Sequence, residues 1–398
     1  QGNMVDGQTP NLLIRQGTMQ PIYDGENIST VANLPNPNMK WEQTAQTNIG
    51  WDLGFFDGRL NIGGDFYYKK TTDLFTNVDV SPINGITSYI MNNGDMLNKG
   101  FSISLNGYPV KTKNFRWYMS TYYSVNLNKV QTDDARNYNL NDYLNGTAVV
   151  SGQPISTFYS YKFLGLNPQN GAPMFDDWED RWHLLQGKTL DEVVPMILVN
   201  SGTRDPKFSG DLNNTFTYKN WSLSLNFSYS LGSKVRLFEM YGPIINGISA
   251  AANVREEFLD RWQVPGDEKY TVYPLIISPS SPDYEHYRLH YSAPQRAVGP
   301  NSGVPAFANN VWQMYDDSDL RVVSGNYLKL QSLSFSYRLN DRLLRKTPFT
   351  QLSISFNTHN CFTISAKELR GQDPSQAGFA DAGLSIRPSY TIGLNVSF

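Results

Sequence analysis

The chain has 398 residues, 13% of them aromatic and 17% charged, with a formal net charge of −3. The charged fraction lies below the ~25% of an ordinary soluble domain, and no basic block stands out to neutralise phosphates, which argues against a nucleic-acid partner. A single cysteine, Cys361, excludes an internal disulfide framework and a Cys-based zinc site.

No apolar run approaches the ~18 residues of a spanning helix. The longest, 193–199, is interrupted by Pro195. Alternation carries the structural signal instead. Ile49, Trp51, Leu53 and Phe55 alternate with Asn48, Gly50, Asp52 and Gly54, and Asp57-Gly58 then turns the chain into a second strand over 60–68. Phe101, Ile103 and Leu105 alternate with Ser102, Ser104 and Asn106, and residues 109–114 lead to a strand over 115–128. Two weaker strands are expected over 158–166 and 172–178. Lys219-Asn220 joins a strand over 208–218 to one over 221–232, in which every odd position from Trp221 to Leu231 is apolar and every even one is Ser or Asn.

A helix is expected over 251–262, where Val254, Phe258 and Trp262 fall at i, i+4 and i+8 and Glu257 can pair with Arg261. Strands over 327–339 and 352–363 follow, joined by 340–348, and the last strand ends at Phe398. About 11 strands are expected from Thr47 onward, and 12 with one near residues 11–18.

A soluble sandwich also alternates, but its solvent face usually carries Lys, Glu, Arg and Thr. Here that face is Ser, Asn, Gly and Thr, which suits a water-filled lumen behind a lipid-facing wall. The expected fold is therefore an all-β antiparallel transmembrane barrel. Aromatic residues fit girdles at two membrane interfaces, and Trp41, Trp51, Trp117 and Trp221 are candidates for such anchors. Gly63-Gly64 is expected to permit close packing on the lumen side. The long polar segments 75–96, 130–154, 179–205, 235–324 and 364–383 then fall on the extracellular side, opposite the short turns.

No catalytic constellation emerges, so the chain is not expected to be an enzyme, and no cofactor or metal is expected. The histidines are His183, His286, His290 and His359. The i,i+4 pair His286 and His290 lies in a Pro- and Tyr-containing stretch unsuited to a helix. The acidic groups Asp176, Asp177, Glu179, Asp180 and Asp316, Asp317, Asp319 lack the spacing of a calcium loop. The aromatic residues of the longest loop are better binding candidates. Trp262, Tyr270, Tyr284, Tyr287, Tyr291, Trp312 and Tyr315, with Tyr273 beside them, can stack on sugars or peptides. The same rings can instead pack the loop against itself or against a partner protein.

Several blocks carry a more specific resemblance. Asn36-Pro37-Asn38-Met39-Lys40-Trp41-Glu42 runs into Ile49-Gly50-Trp51-Asp52, followed by Asp65-Phe66-Tyr67-Tyr68-Lys69-Lys70-Thr71-Thr72-Asp73-Leu74-Phe75. Gly165-Leu166-Asn167-Pro168, Asp205-Pro206-Lys207-Phe208 and Phe258-Leu259-Asp260-Arg261-Trp262 come next. Ser318-Asp319-Leu320-Arg321, Gly325-Asn326-Tyr327-Leu328-Lys329-Leu330 and the terminal Arg387-Pro388-Ser389-Tyr390 strand complete the set. Over residues 33–398 the chain resembles the SusC/RagA family of TonB-dependent outer-membrane transporters, departing mildly at Met39 and Asn167. The resemblance implies the C-terminal half of a barrel of about 22 strands, with the plug and TonB box absent from this chain. It also implies a bacterial outer-membrane location, a SusD-like surface lipoprotein as lid, coupling to the proton gradient by TonB through the N-terminal part, and oligosaccharides or oligopeptides as substrates. A passive porin and a secreted adhesin or carbohydrate-binding β protein are the rival readings.

Overall fold

A computed structural model describes residues 13–16, 29–33, 36–79, 83, 88–132, 138, 140–176, 179–185, 188, 190–242, 254–276, 284, 297–298, 304–305, 311–345, 347–376 and 387–398. Nine strands form one antiparallel sheet: β1 (Gln43–Phe55), β2 (Leu60–Thr72), β3 (Asp95–Lys111), β4 (Phe115–Gln131), β5 (Phe208–Tyr218), β6 (Trp221–Leu231), β7 (Tyr327–Arg338), β8 (Gln351–Ser365) and β9 (Ser389–Ser397). Each strand pairs with its neighbours in chain order, from β1 at one edge to β9 at the other. Among the described residues no helix is long and apolar enough to cross a membrane.

Nine strands replace the expected eleven or twelve. The pair anticipated over 158–166 and 172–178 lies outside the sheet. Thr157–Tyr161 instead pairs with Leu198–Thr203, and Phe163–Leu166 pairs with Pro173–Phe175. All five residues of Thr157–Tyr161 are buried, so this stretch lacks the half-buried alternation of a wall strand. Leu13–Gln16 does form a strand, but in a separate two-stranded sheet with Ser29–Asn33. With nine antiparallel strands, the first and the last run the same way.

Register keeps the two faces distinct across the whole sheet. Phe55, Leu60 and Gly107 lie side by side, as do Ile49, Phe66, Phe101, Val125 and Phe208. Leu223, Phe335, Phe356 and Ile392 continue the apolar face to the far edge. The opposite face carries Ser124, Ser209, Ser230, Ser336, Ser355 and Gly393. The apolar face is open to its surroundings: Ile49 is 62% exposed, Leu394 66% and Ile392 80%. Soluble proteins rarely leave contiguous greasy area of this extent uncovered.

At the short-turn end Trp117 stacks on Phe216 at 5.7 Å, and Trp221 lies 5.2 Å from Phe335 and 4.2 Å from Tyr337. Trp117 also donates its indole N–H to Asn214 Oδ1 at 3.0 Å, which satisfies the one amide on that stretch of the apolar face. Trp51 sits differently, in mid-strand. It lies across Gly64, where a Cβ would come 2.4 Å from the ring. Of the glycine pair, Gly63 faces Asp52 and Ser104 on the polar side while Gly64 serves the apolar side, so the expected lumen packing applies to Gly63 alone.

Candidate functional site

The connections at the two ends of the sheet differ in kind. Turns 56–59, 112–114, 219–220 and 339–350 link strands at one end, whereas 73–94, 132–207, 232–326 and 366–388 link them at the other. The described parts of 132–207, 232–326 and 366–388 fold into a cap with its own core. Helices α1 (Leu140–Leu144), α2 (Leu190–Ile197) and α3 (Val311–Asp316) contribute Leu144, Val193, Val194, Trp312, Met314 and Tyr315 to one buried cluster, joined by Tyr161, Met240, Tyr241 and Phe258. That cluster mixes the 132–207 and 232–326 connections, so neither is an independent loop.

Buried polar contacts fix the cap. The Asp316 carboxylate accepts the backbone N–H groups of Met240, Tyr241 and Gly242 at 2.8–2.9 Å. Burial pushes this carboxyl up, while Arg321 and the three N–H donors pull against it. Burial also pushes the neighbouring Asp317 carboxyl up to about 7, with Arg236 opposing and Asp316 adding to the rise. Arg236 donates to the carbonyls of Tyr159, Leu144 and Ser318 and to Ser160 Oγ, tying the two connections together. Arg321 donates to the Phe238 carbonyl at 2.5 Å. Tyr241 donates its hydroxyl to the Pro274 carbonyl at 2.6 Å, and burial raises the pKa of both Tyr241 and Tyr315.

The cap rests on the polar face. Lys329 of β7, 3% exposed, donates to Asp373 Oδ2 at 3.0 Å and to Ser375 Oγ at 3.1 Å. Burial would raise the Asp373 carboxyl, but Ser375 and Lys329 outweigh it and hold the group below the usual carboxylate range. Asn128 of β4 accepts the Ile155 N–H and donates to Asn98 on the same face. Gln372 accepts the Phe238 N–H and donates to the Arg236 carbonyl, which joins the 366–376 segment to the rest of the cap.

The seven aromatic candidates meet different fates. Trp262 is buried: it covers Gly171, where φ is +67° and a Cβ would come 2.4 Å from the ring, and it donates to Glu268. Tyr284 and Trp312 stack on each other at 6.0 Å, and Trp312 donates to the Leu275 carbonyl. Tyr315 is fully buried and packs edge-on to Phe163 and Tyr241. These four rings hold the cap together, as the self-packing alternative requires. Among the described candidates, Tyr270 alone projects, at 90% exposure. Tyr287 and Tyr291 lie outside the described residues, as do His286 and His290.

Of the helix expected over 251–262, the described residues from 254 onward hold a single 3-10 turn, Glu256–Asp260. Phe258 and Trp262 are buried but Val254 is exposed, because the chain is extended on both sides of the turn. Glu257 pairs with Arg255 at 2.5 Å rather than with Arg261, which donates to the Phe258 carbonyl. The carboxylates Asp316, Asp317 and Asp319 do not converge. Asp319 takes the Phe163 N–H and Lys162 while Asp316 faces the 240–242 backbone. The Lys329–Asp373 clamp and the Asp316 knot escaped sequence reading, since their partners lie tens of residues apart. A lysine at a polar-face position of an otherwise Ser/Asn-rich strand was the one signal available.

Comparison with known proteins gives the geometry a family context. Residues 9–396 match the family described as TonB dependent receptor-like, beta-barrel. TonB-dependent receptor P3 of Formosa agariphila is 25% identical over 94% of this chain and 36% of its own length. TonB-dependent receptor SusC of Bacteroides thetaiotaomicron is 30% identical over 53% of this chain and 21% of its own. Among solved structures, the RagAB peptide transporter matches with a TM-score of 0.69 at 20% identity, covering 98% of this chain and 38% of that one. The chain thus spans little more than a third of the length of such relatives.

Proposed function

This chain belongs to the TonB-dependent receptor-like β-barrel family, and from that premise we propose that it forms part of the wall and mouth of an outer-membrane importer. The transported solute is an oligosaccharide or oligopeptide, a SusD-like lipoprotein covers the mouth, and energy from the proton gradient arrives through TonB. One observation carries the reading: the cap packs on the polar face of the sheet while the apolar face stays bare along all nine strands. A water-filled passage lined by Ser and Asn, walled against lipid by Leu, Ile and Phe, has this arrangement. In lipid, the free backbone groups of edge strands β1 and β9 need partners, so further strands complete the wall. Short turns then face the periplasm and the cap faces outward.

Extraction of the native protein from outer membrane in mild detergent, followed by mass spectrometry of what copurifies, tests the proposal. A SusD-like lipoprotein, with uptake that depends on TonB, is the expected result. A barrel isolated without such a lipoprotein, passing solutes in the absence of TonB, would establish a porin instead.

A further inference from the structure

We propose that the short-turn end of the apolar face holds a glycerophospholipid with an anionic headgroup, its phosphate on Arg59 and an acyl chain in a groove beside β3. The inference rests on the membrane reading above. A groove of about 510 Å³ opens on the apolar face between Leu60, Leu105 and Met119, with Phe56 at its rim and Arg59 as its one charged lining residue. Register explains the hollow. Leu60, Gly107 and Met119 occupy adjacent positions on β2, β3 and β4, and the middle one has no side chain. Gly107 has to be glycine there, because a Cβ would fall 2.3 Å from the Arg59 carbonyl oxygen.

Charge complementarity selects the occupant. The guanidinium of Arg59 is exposed and forms no ion pair among the described residues. The turns at this end add Lys113, Lys219, Arg342 and Arg345 against Asp57 and Asp341. An apolar trough ending at a cationic rim fits a molecule with a hydrocarbon tail and a phosphate head. Arginine suits that head because its planar donors match phosphate oxygens in pairs, and cations beside a bilayer gain from anionic lipid.

The test uses the full-length transporter, reconstituted in nanodiscs containing phosphatidylglycerol and phosphatidylcholine with identical acyl chains. Native mass spectrometry then counts retained lipids of each kind. The unaltered protein is expected to retain phosphatidylglycerol preferentially. Arg59→Gln should lower that preference about fivefold, and Arg59→Lys should restore part of it. Leu105→Trp, which fills the groove without touching the Gly107 contact, should reduce retention of both lipids. An embedded barrel with equal retention of the two lipids, or an unchanged preference in Arg59→Gln, would overturn this proposal alone. A chain that fails to embed at all would overturn the membrane reading and this inference with it.

Discussion

The carboxylate of Asp316 gathers three consecutive backbone N–H groups, at Met240, Tyr241 and Gly242, from a segment more than seventy residues away in sequence. Replacing it with alanine strands three buried donors, each costing about 1–3 kcal/mol, so Asp316→Ala should destabilise the cap by at least about 3 kcal/mol. Hydrogen exchange at residues 240–242 checks this, and unchanged protection would mean that packing alone holds the segment. Asp317 makes a different prediction, because its folded-state carboxyl is raised to about 7 from an ordinary 3.8. Between those values the folded cap keeps a proton that the unfolded chain has released. Stability therefore falls as pH rises from about 4 to 7, by at most about 1.4 kcal/mol per pH unit, and levels off above. Proteolysis of the cap across that range should accelerate with pH in the native protein and vary less in Asp317→Asn; equal profiles would contradict the assignment. Tyr270 completes this scale. Being 90% exposed, it can be changed to alanine without loss of stability, and any effect on lid or substrate affinity would report direct contact.

Strands tell the sequence-to-structure story most clearly. The hairpins of β1–β2, β3–β4, β5–β6 and β7–β8 were legible because period-2 alternation is written within each strand, and the Trp221–Leu231 pattern fixes both register and facing. The cap was not legible. Its strand Thr157–Tyr161 is buried on both sides, and its knots depend on partners such as Arg236 and Leu144, ninety-two residues apart, which no local pattern announces. Facing can be tested directly. Leu225 lies between Asn214 and Leu333 on the apolar side, and Leu394 is 66% exposed. Leu225→Lys and Leu394→Lys should each impair barrel assembly, since a charge near the membrane midplane costs about 2–4 kcal/mol. Ser224→Lys, one residue away on the polar face, should be tolerated. Equal yields of heat-resistant folded barrel from all three would reverse the assignment of faces.

At the scale of the molecule, two regions obey different rules: a wall whose neighbours are also neighbours in sequence, and a cap assembled from three distant connections. Deleting residues 264–315 removes Trp312 and Tyr315 from the shared core, so such a deletion should disorder the 138–203 segment as well. Protection in that segment after the deletion would show that the cap is divisible. The wall is more forgiving, for a reason visible where β6 ends and β7 begins. Ser230 and Tyr327 are directly opposite each other, so the entire 232–326 excursion leaves and returns at a single point on the rim. A two-residue hairpin could occupy the same doorway. By the logarithmic law of loop closure, expanding such a turn to this size costs the barrel only about 3 kcal/mol. A lineage could therefore remodel the excursion, together with the 132–207 connection that shares its core, while inheriting the membrane scaffold unaltered.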